Sequence, residues 1–171
     1  MIDPNRHAQN RGSLESLLRS VPGFKGYAEK EDRRESDRLT RKWMADRLQQ
    51  SKRGLDDGMR RLVDAGQLDS LAAFERLRSR VDGFVAKLLA AVRGYSGFFD
   101  FVQVDEDVLD QVYQFDQALV TDVQALAETL EQVAGRADLG SGAASELLGK
   151  LDAVERSFER RGEILKGVGP T

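Results

Sequence analysis

The hydrophobic positions of this chain recur every three or four residues along four long stretches, which predicts four amphipathic helices. The first predicted helix spans 27–65 and is about 60 Å long at 1.5 Å per residue. Its first part, 27–38, is almost wholly charged. An apolar seam follows it, formed by Leu39, Trp43, Met44, Leu48, Leu55, Met59 and Leu62. Because the later helices are shorter, the charged part is expected to extend beyond them.

Helix-capping residues predict where these helices begin and end. Gly66 is expected to end the first helix as a left-handed cap. The later helices are predicted at 69–92, at 105–134, and from a cap at Ser141 or Ser145 to about residue 165. The predicted fold is therefore all-α, an antiparallel up-down four-helix bundle with one over-long first helix.

The N-terminal region adds a short predicted helix at 13–20, with Leu14, Leu17 and Leu18 on one face. Two helical turns are too few to be stable alone, so this helix is expected to dock on the bundle, on a partner or on a membrane surface. Residues 1–12 are expected to form a disordered tail, and 167–171 a frayed tail or linker. A single bundle domain, 13–166, lies between them.

A stripe of cations is predicted on the charged part of the first helix. Lys30, Arg34, Arg38 and Arg41 follow one another at helical spacing, and acidic residues lie beside them. One interpretation is a solvated overhang held together by surface ion pairs. The other is a docking arm for an acidic protein partner or for anionic lipid.

An aromatic connection, 93–104, follows the second predicted helix. Gly94 and Gly97 are expected to stop that helix, yet the residues around them include Tyr95, Phe98, Phe99 and Phe101, although loops are usually polar. Since the second helix runs back along the first, this connection is expected to reach the end of the bundle that carries Leu39 and Trp43. We predict that it packs there as a structural cap. The alternative is an exposed apolar patch that binds a partner.

The charges are unevenly distributed along the chain. Residues 97–135 hold nine acidic side chains and no Lys or Arg, whereas 1–96 hold 20 basic and 14 acidic side chains, a net +6. The acidic segment is expected to pair with the basic first half inside the fold. Asp116 falls close to the apolar seam of the third helix. It is expected either to pair with an arginine from another helix or to lie at the rim.

The residue types do not support several kinds of catalytic, cofactor or metal site. The chain has no cysteine, its one histidine is His7 in the predicted tail, and no phosphate-binding glycine loop is present. The acidic opening of the third helix, at 105–110, is better explained by the helix dipole than by a metal. We therefore expect no catalytic set, no cofactor and no metal. Nucleic-acid binding is not expected either, because the chain is acidic overall.

Three segments carry a family resemblance: GYAEKEDRRESDR, VDAGQLDSL and GYSGFFDFVQVDEDVLDQVYQFD. In this order they resemble a bacterial family of all-helical proteins without a known activity, over about 24–165. No functional residue is carried over. The resemblance implies association with membrane-associated scaffold or zinc-ribbon proteins, although this chain has no cysteine for a ribbon.

The sequence favours a non-enzymatic interaction or scaffold module. It would bind a protein partner through Lys30, Arg34, Arg38 and Arg41 and through Tyr95, Phe98 and Phe99. One alternative is a peripheral membrane protein that binds anionic lipid; another is a bundle with a ligand pocket between its helices. A cytoplasmic location is expected, with the inner-membrane surface as the alternative. Both a monomer and a homodimer fit the seams.

Overall fold

The computed structural model describes residues 21–22, 30–90 and 106–165. Within these ranges the chain forms four α-helices and no strand, which confirms the all-α prediction. The helices are α1 (Lys30–Asp64), α2 (Leu68–Ala90), α3 (Glu106–Glu131) and α4 (Ser141–Leu165), and a 3-10 turn, Gln132–Gly135, extends α3. At 35 residues α1 is the longest, as predicted; the others have 23 to 26.

The turn between α1 and α2 depends on one glycine. Gly66 has a φ of +67°, so the predicted left-handed cap is confirmed. Its amide donates to the carbonyl of Val63 at 3.0 Å, and the amide of Gln67 donates to that of Leu62 at 2.9 Å. These two bonds satisfy the last carbonyls of α1 and turn the chain directly into α2. At the start of α4, Ser145 lies inside the helix and is not its cap.

The helices pack in a different order from a simple up-down bundle. Helix α1 packs along α2 and α3, and α4 also packs along α2 and α3. Helices α1 and α2 are antiparallel, and so are α3 and α4. Helix α1 runs parallel to α3, and α2 runs parallel to α4. Contacts that show these directions include Arg41–Leu88, Arg78–Asp56, Arg136–Glu146, Arg161–Asp116, Arg47–Gln124, Arg61–Ala134, Arg80–Asp152 and Lys87–Glu159.

The consecutive helices α2 and α3 are therefore not principal packing partners. In a simple up-down bundle, by contrast, each helix packs beside the next one in the chain. The 15 residues between Ala90 and Glu106 allow it, since a connection of that length can join helices that are not adjacent. Helices α1 and α4 are likewise not principal partners, so they face each other across the bundle interior.

The predicted seams meet in one hydrophobic core that runs along all four helices. Phe84 of α2 packs edge to face against Phe158 of α4, with ring centroids 5.8 Å apart. Trp43 is only half-buried and packs against this core from its edge. The largest fully buried side chains are Phe74, Phe84, Met44, Leu48, Leu55, Leu62, Leu77, Leu88, Leu119 and Leu130.

Other predictions fall outside the described residues. They concern the tail at 1–12, the short helix at 13–20, the aromatic connection at 93–104 and the tail at 167–171. The cap over Leu39 and Trp43 therefore stays a prediction, and so does its alternative, an exposed apolar patch that binds a partner. In the described part of the chain, none of the helices combines the length and the apolar character that a membrane crossing requires.

Candidate functional site

The candidate site lies at 36–43, the first part of α1 whose side chains the structure describes. Inward and outward side chains differ in chemistry there. Ser36, Asp37, Thr40 and Arg41 are buried, although the segment reads as polar. The outward residues Arg38 and Lys42 are exposed, and Leu39 and Trp43 are half-buried. The expectation that 27–38 extends beyond the bundle as a whole is thus wrong for its last turn, because Ser36 and Asp37 already face the interior.

Arg41 is buried beneath this surface. It is 3% exposed, and its Nε and Nη2 atoms donate to Oδ2 of Asp37 at 3.0 and 2.7 Å. Its Nη1 donates to the Leu88 carbonyl near the end of α2 at 3.2 Å. The prediction that Arg41 belongs to an exposed cationic stripe is therefore wrong. The reason is its partner one turn earlier: pairing with Asp37 allows the guanidinium to be buried.

A second arginine enters the same place from α4. Arg161 donates through Nη2 to Oδ1 of Asp37 at 2.6 Å and to Oδ2 of Asp116 at 3.1 Å. Its Nε also donates to Oδ1 of Asp116. Asp116 is 1% exposed, so the first of its two predicted roles, pairing with an arginine from another helix, is confirmed. We call Asp37, Arg41, Asp116 and Arg161 the ion cluster.

The ion cluster touches all four helices. Asp37 and Arg41 belong to α1, Asp116 to α3 and Arg161 to α4, and the Leu88 carbonyl brings in α2. Its two carboxylates and two guanidiniums balance in charge, which buried charges require. Thr40 adds a hydrogen bond from its Oγ1 to the Ser36 carbonyl at 2.8 Å. The buried side of 36–41 is therefore a hydrogen-bonded ionic layer at the end of an apolar core.

Sequence reasoning did not identify Arg161 as part of this site. The signal was present, however, because Arg161 follows Phe158 by three residues and so continues the apolar seam of α4. A charged residue at a seam position must find a buried partner or leave the core. Asp116 shows the same pattern near the seam of α3, so the two could have been matched as opposite charges on facing seams.

The expected pairing of the acidic segment with the basic first half occurs at Glu131. Arg47 of α1 donates to both carboxylate oxygens of Glu131, at 2.5 and 2.9 Å, and to Gln124 at 2.8 Å. The hydrogen bond raises the pKa of Arg47 and lowers the pKa of Glu131 from their ordinary values. Asp116 pairs with Arg161 of α4, which lies outside the basic half.

The structure places only some of the predicted partner-binding residues. Arg38 is exposed beside Leu39 and Trp43, whereas Arg41 points inward. Lys30 and Arg34 belong to α1, but their side chains lie outside the described part. So do the aromatic residues of the connection: Tyr95, Phe98, Phe99 and Phe101.

Three open grooves lie far from the ion cluster, along α1 and α2 and at the turn beside α4. One groove between α1 and α2 has a volume of about 380 Å³ and is lined by Asp56, Met59, Arg60, Val63, Asp64, Leu71 and Glu75. The others are lined by parts of 61–67 with 137–139, and by parts of 56–59 with 75–82. None of these grooves is lined by Trp43. Within the described ranges, no three His, Cys, Asp or Glu side chains are grouped so that they could hold a metal ion.

Comparison of the chain with protein-family models, with curated proteins and with solved structures finds no match. The resemblance to a bacterial all-helical family therefore stays a prediction that rests on its three sequence segments. Function is therefore inferred from the geometry of the chain itself. That geometry combines a buried ion cluster with an outward surface of mixed aromatic, aliphatic and basic character.

Proposed function

We propose that the chain is a non-enzymatic helical interaction module that binds a protein partner at the end of the bundle where α1 begins. The observation that carries the proposal is the outward face of 38–43. There Leu39 and Trp43 are half-buried beside exposed Arg38 and Lys42. We call these four residues the outward surface.

The residue types of the outward surface are those that dominate protein interfaces. Tryptophan and arginine are enriched among the side chains that contribute most binding energy. Trp43 keeps part of its ring exposed while the rest packs on the core, so it is held in place before any partner arrives. This pre-ordering lowers the entropy cost of binding.

The charge of the outward surface suggests the chemistry of the partner. Arg38 is exposed, and Lys42 forms a surface ion pair with Asp46 at 2.5 Å, with both side chains more than half exposed. Such a pair contributes little to stability and exchanges readily. A partner that offers an apolar pocket with an acidic rim would accept Trp43 and engage both cations. Binding of this kind weakens as salt rises.

Photo-crosslinking tests the proposal directly. A photoreactive amino acid is placed at Arg38 in one variant and at Arg76, an exposed arginine of α2, in a control variant. In cells that express the chain, we expect a discrete protein adduct from position 38 and none of that size from position 76. The same adducts at both positions, or no adduct at position 38, would contradict the proposal.

The adduct then allows a quantitative test with purified components. Trp43 is the only tryptophan, so its fluorescence reports binding at this surface without a label. We expect Arg38→Glu to weaken the affinity for the captured partner at least tenfold and Arg76→Glu to leave it unchanged. A shift of the Trp43 emission with phosphatidylglycerol vesicles, and none with the partner, would favour membrane binding instead.

A further inference from the structure

The ion cluster places four buried charges at the end of the apolar core, beside the buried polar residues Ser36 and Thr40. Met44 and Leu48 of α1, Leu119 and Val120 of α3, and Phe158 of α4 are buried next to it along their helices. We infer that the ion cluster selects this order and register of the four helices over alternative bundles, and that it does so at a cost in stability. This role of the ion cluster belongs to the fold and is independent of partner binding.

The cost follows from the burial of the cluster. Asp37, Arg41, Asp116 and Arg161 are each at most 3% exposed, so all four side chains lose their contact with water. In buried ion pairs the lost hydration often exceeds the attraction between the charges, and well-packed apolar residues then give a more stable protein. The adjoining apolar layer offers the surroundings that such residues need.

The ion cluster can select one arrangement because the apolar seams discriminate poorly between helix registers and neighbour orders. Seams built mostly from Leu, Val and Ala accept several registers and neighbour orders, because dispersion and hydrophobic burial are not directional. Charged groups behave differently. If α4 slid by one turn, about 5.4 Å, Arg161 would leave both of its carboxylates, and buried charges would lose their partners.

Asp37 has the central position in this selection. Its Oδ2 accepts from Arg41 on the same helix, and its Oδ1 accepts from Arg161 across the bundle. Helices α1 and α4 are not principal packing partners, so this bond fixes a pair that side-by-side packing does not fix. Asp116 completes the arrangement by holding the same guanidinium from α3. One carboxylate thus relates α1 to α4 while the second relates α3 to α4.

The experiment replaces the whole cluster. One variant carries D37L, R41M, D116L and R161M, and a second carries D37M, R41L, D116M and R161L, so that a steric misfit of one set does not decide the result. Unfolding in urea is followed by circular dichroism. We expect at least one apolar variant to have a higher urea midpoint than the native chain.

Helix arrangement is measured in the same variants by spin-label distances. The chain has no cysteine, so labels go only to the introduced pair Q50C and R156C, at exposed positions of α1 and α4. We expect a single narrow distance distribution in the native chain and a broad or double one in the apolar variants. As a control, R80Q, D152N and E155Q together remove a surface ion-pair group and should leave the distribution unchanged.

Two results would overturn the inference. If every apolar variant that folds keeps the single native distance, the seams alone specify the arrangement. If both apolar variants unfold at lower urea than the native chain, or do not fold, the cluster contributes net stability and not a cost. A higher midpoint together with a lost single distance is the only combination that supports it.

Discussion

Gly54 of α1 lies directly against the carbonyl oxygen of Leu130 in α3. A Cβ atom built on Gly54 would come within 2.4 Å of that oxygen and within 2.6 Å of the Cα atom of Glu131. The two backbones therefore touch where the last turns of α3 pass α1. Gly58 follows one turn later, and its Cβ would meet a side-chain atom, Cγ1 of Val133, at 2.7 Å. Glycine at 54 is needed for this close approach.

Gly54→Ala is expected to destabilise the fold by about 1–3 kcal/mol, because the added methyl group must push backbone against backbone. Gly83→Ala is the matched control, since Gly83 is also inside a helix but has nothing within 4 Å of a built Cβ. It should stabilise the fold by up to about 1 kcal/mol through helix propensity. Urea unfolding of both variants measures the difference.

Gly58→Ala should cost less than Gly54→Ala, because the side chain of Val133 can turn away while a carbonyl oxygen cannot. The order of the three variants is thus part of the prediction. If Gly54→Ala were as stable as Gly83→Ala, the backbones of α1 and α3 would not be in contact at this position.

The seams and one cap made the helices predictable from the sequence. The three-four spacing identified all four, and Gly66 marked the end of α1 correctly. Neighbour order was not predictable, since it depends on contacts between residues far apart in the sequence, such as Asp37 with Arg161 and Gly54 with Leu130. Two glycines four residues apart in α1 were a signal for close packing, but a single sequence does not say which helix approaches them.

The candidate site was predictable only in part. Helical spacing placed Arg41 on a stripe with Lys30, Arg34 and Arg38, but it could not say which side of the stripe faces inward. The inward direction of Arg41 depends on the ion cluster, in which Asp37 of α1 meets Asp116 of α3 and Arg161 of α4. The i, i+4 spacing of Asp37 and Arg41 fits a surface pair and a buried pair equally well. Tertiary packing determines that this pair is buried.

Arg161 and Arg80 form a natural comparison, because each guanidinium pairs with two carboxylates. Arg161 is buried with Asp37 and Asp116, whereas the side chain of Arg80 is 43% exposed and pairs with Asp152 and Glu155 at 2.6 and 2.9 Å. Arg161→Met should cost about 3–5 kcal/mol, since it leaves two buried carboxylates without this partner. Arg80→Met should cost less than about 1 kcal/mol.

Salt provides a second contrast between these arginines. Raising the ionic strength from about 0.01 to 1 M shortens the Debye length from about 30 to 3 Å and screens exposed pairs more than buried ones. The urea midpoint difference between the native chain and Arg80→Met should therefore shrink with salt, while that of Arg161→Met persists. A loss at Arg161 as small as that at Arg80 would mean that the buried cluster is hydrated.

The ion pair between Arg47 and Glu131 predicts a pH dependence of stability. The hydrogen bond from Arg47 lowers the pKa of Glu131 in the folded state, so the pair stabilises the fold above the unfolded-state pKa, about 4.3. This contribution is lost as the pH falls through the lowered folded-state pKa. The native chain and Glu131→Gln should thus differ in unfolding free energy at pH 6 and converge towards pH 3.

The size of this effect is limited, because the Glu131 side chain is 43% exposed and solvent screens the pair. We expect a difference below about 1 kcal/mol at pH 6. Glu75→Gln is the control: Glu75 is exposed and forms no ion pair with another described residue. At pH 6 the Glu75→Gln variant should differ from the native chain by less than Glu131→Gln does. A constant offset of Glu131→Gln from pH 3 to 6 would show that the loss is not ionic.

Trp43 should contribute less to stability than a fully buried aromatic residue, because its ring lies at the edge of the core. Phe84→Ala should cost about 3–5 kcal/mol, and Leu89→Ala, at a position 49% exposed, no more than about 0.5 kcal/mol. Trp43→Ala is expected between them, as measured by urea unfolding followed at 222 nm. A loss equal to that of Phe84→Ala would make Trp43 a core residue, and the outward surface would then lack its central anchor for a partner.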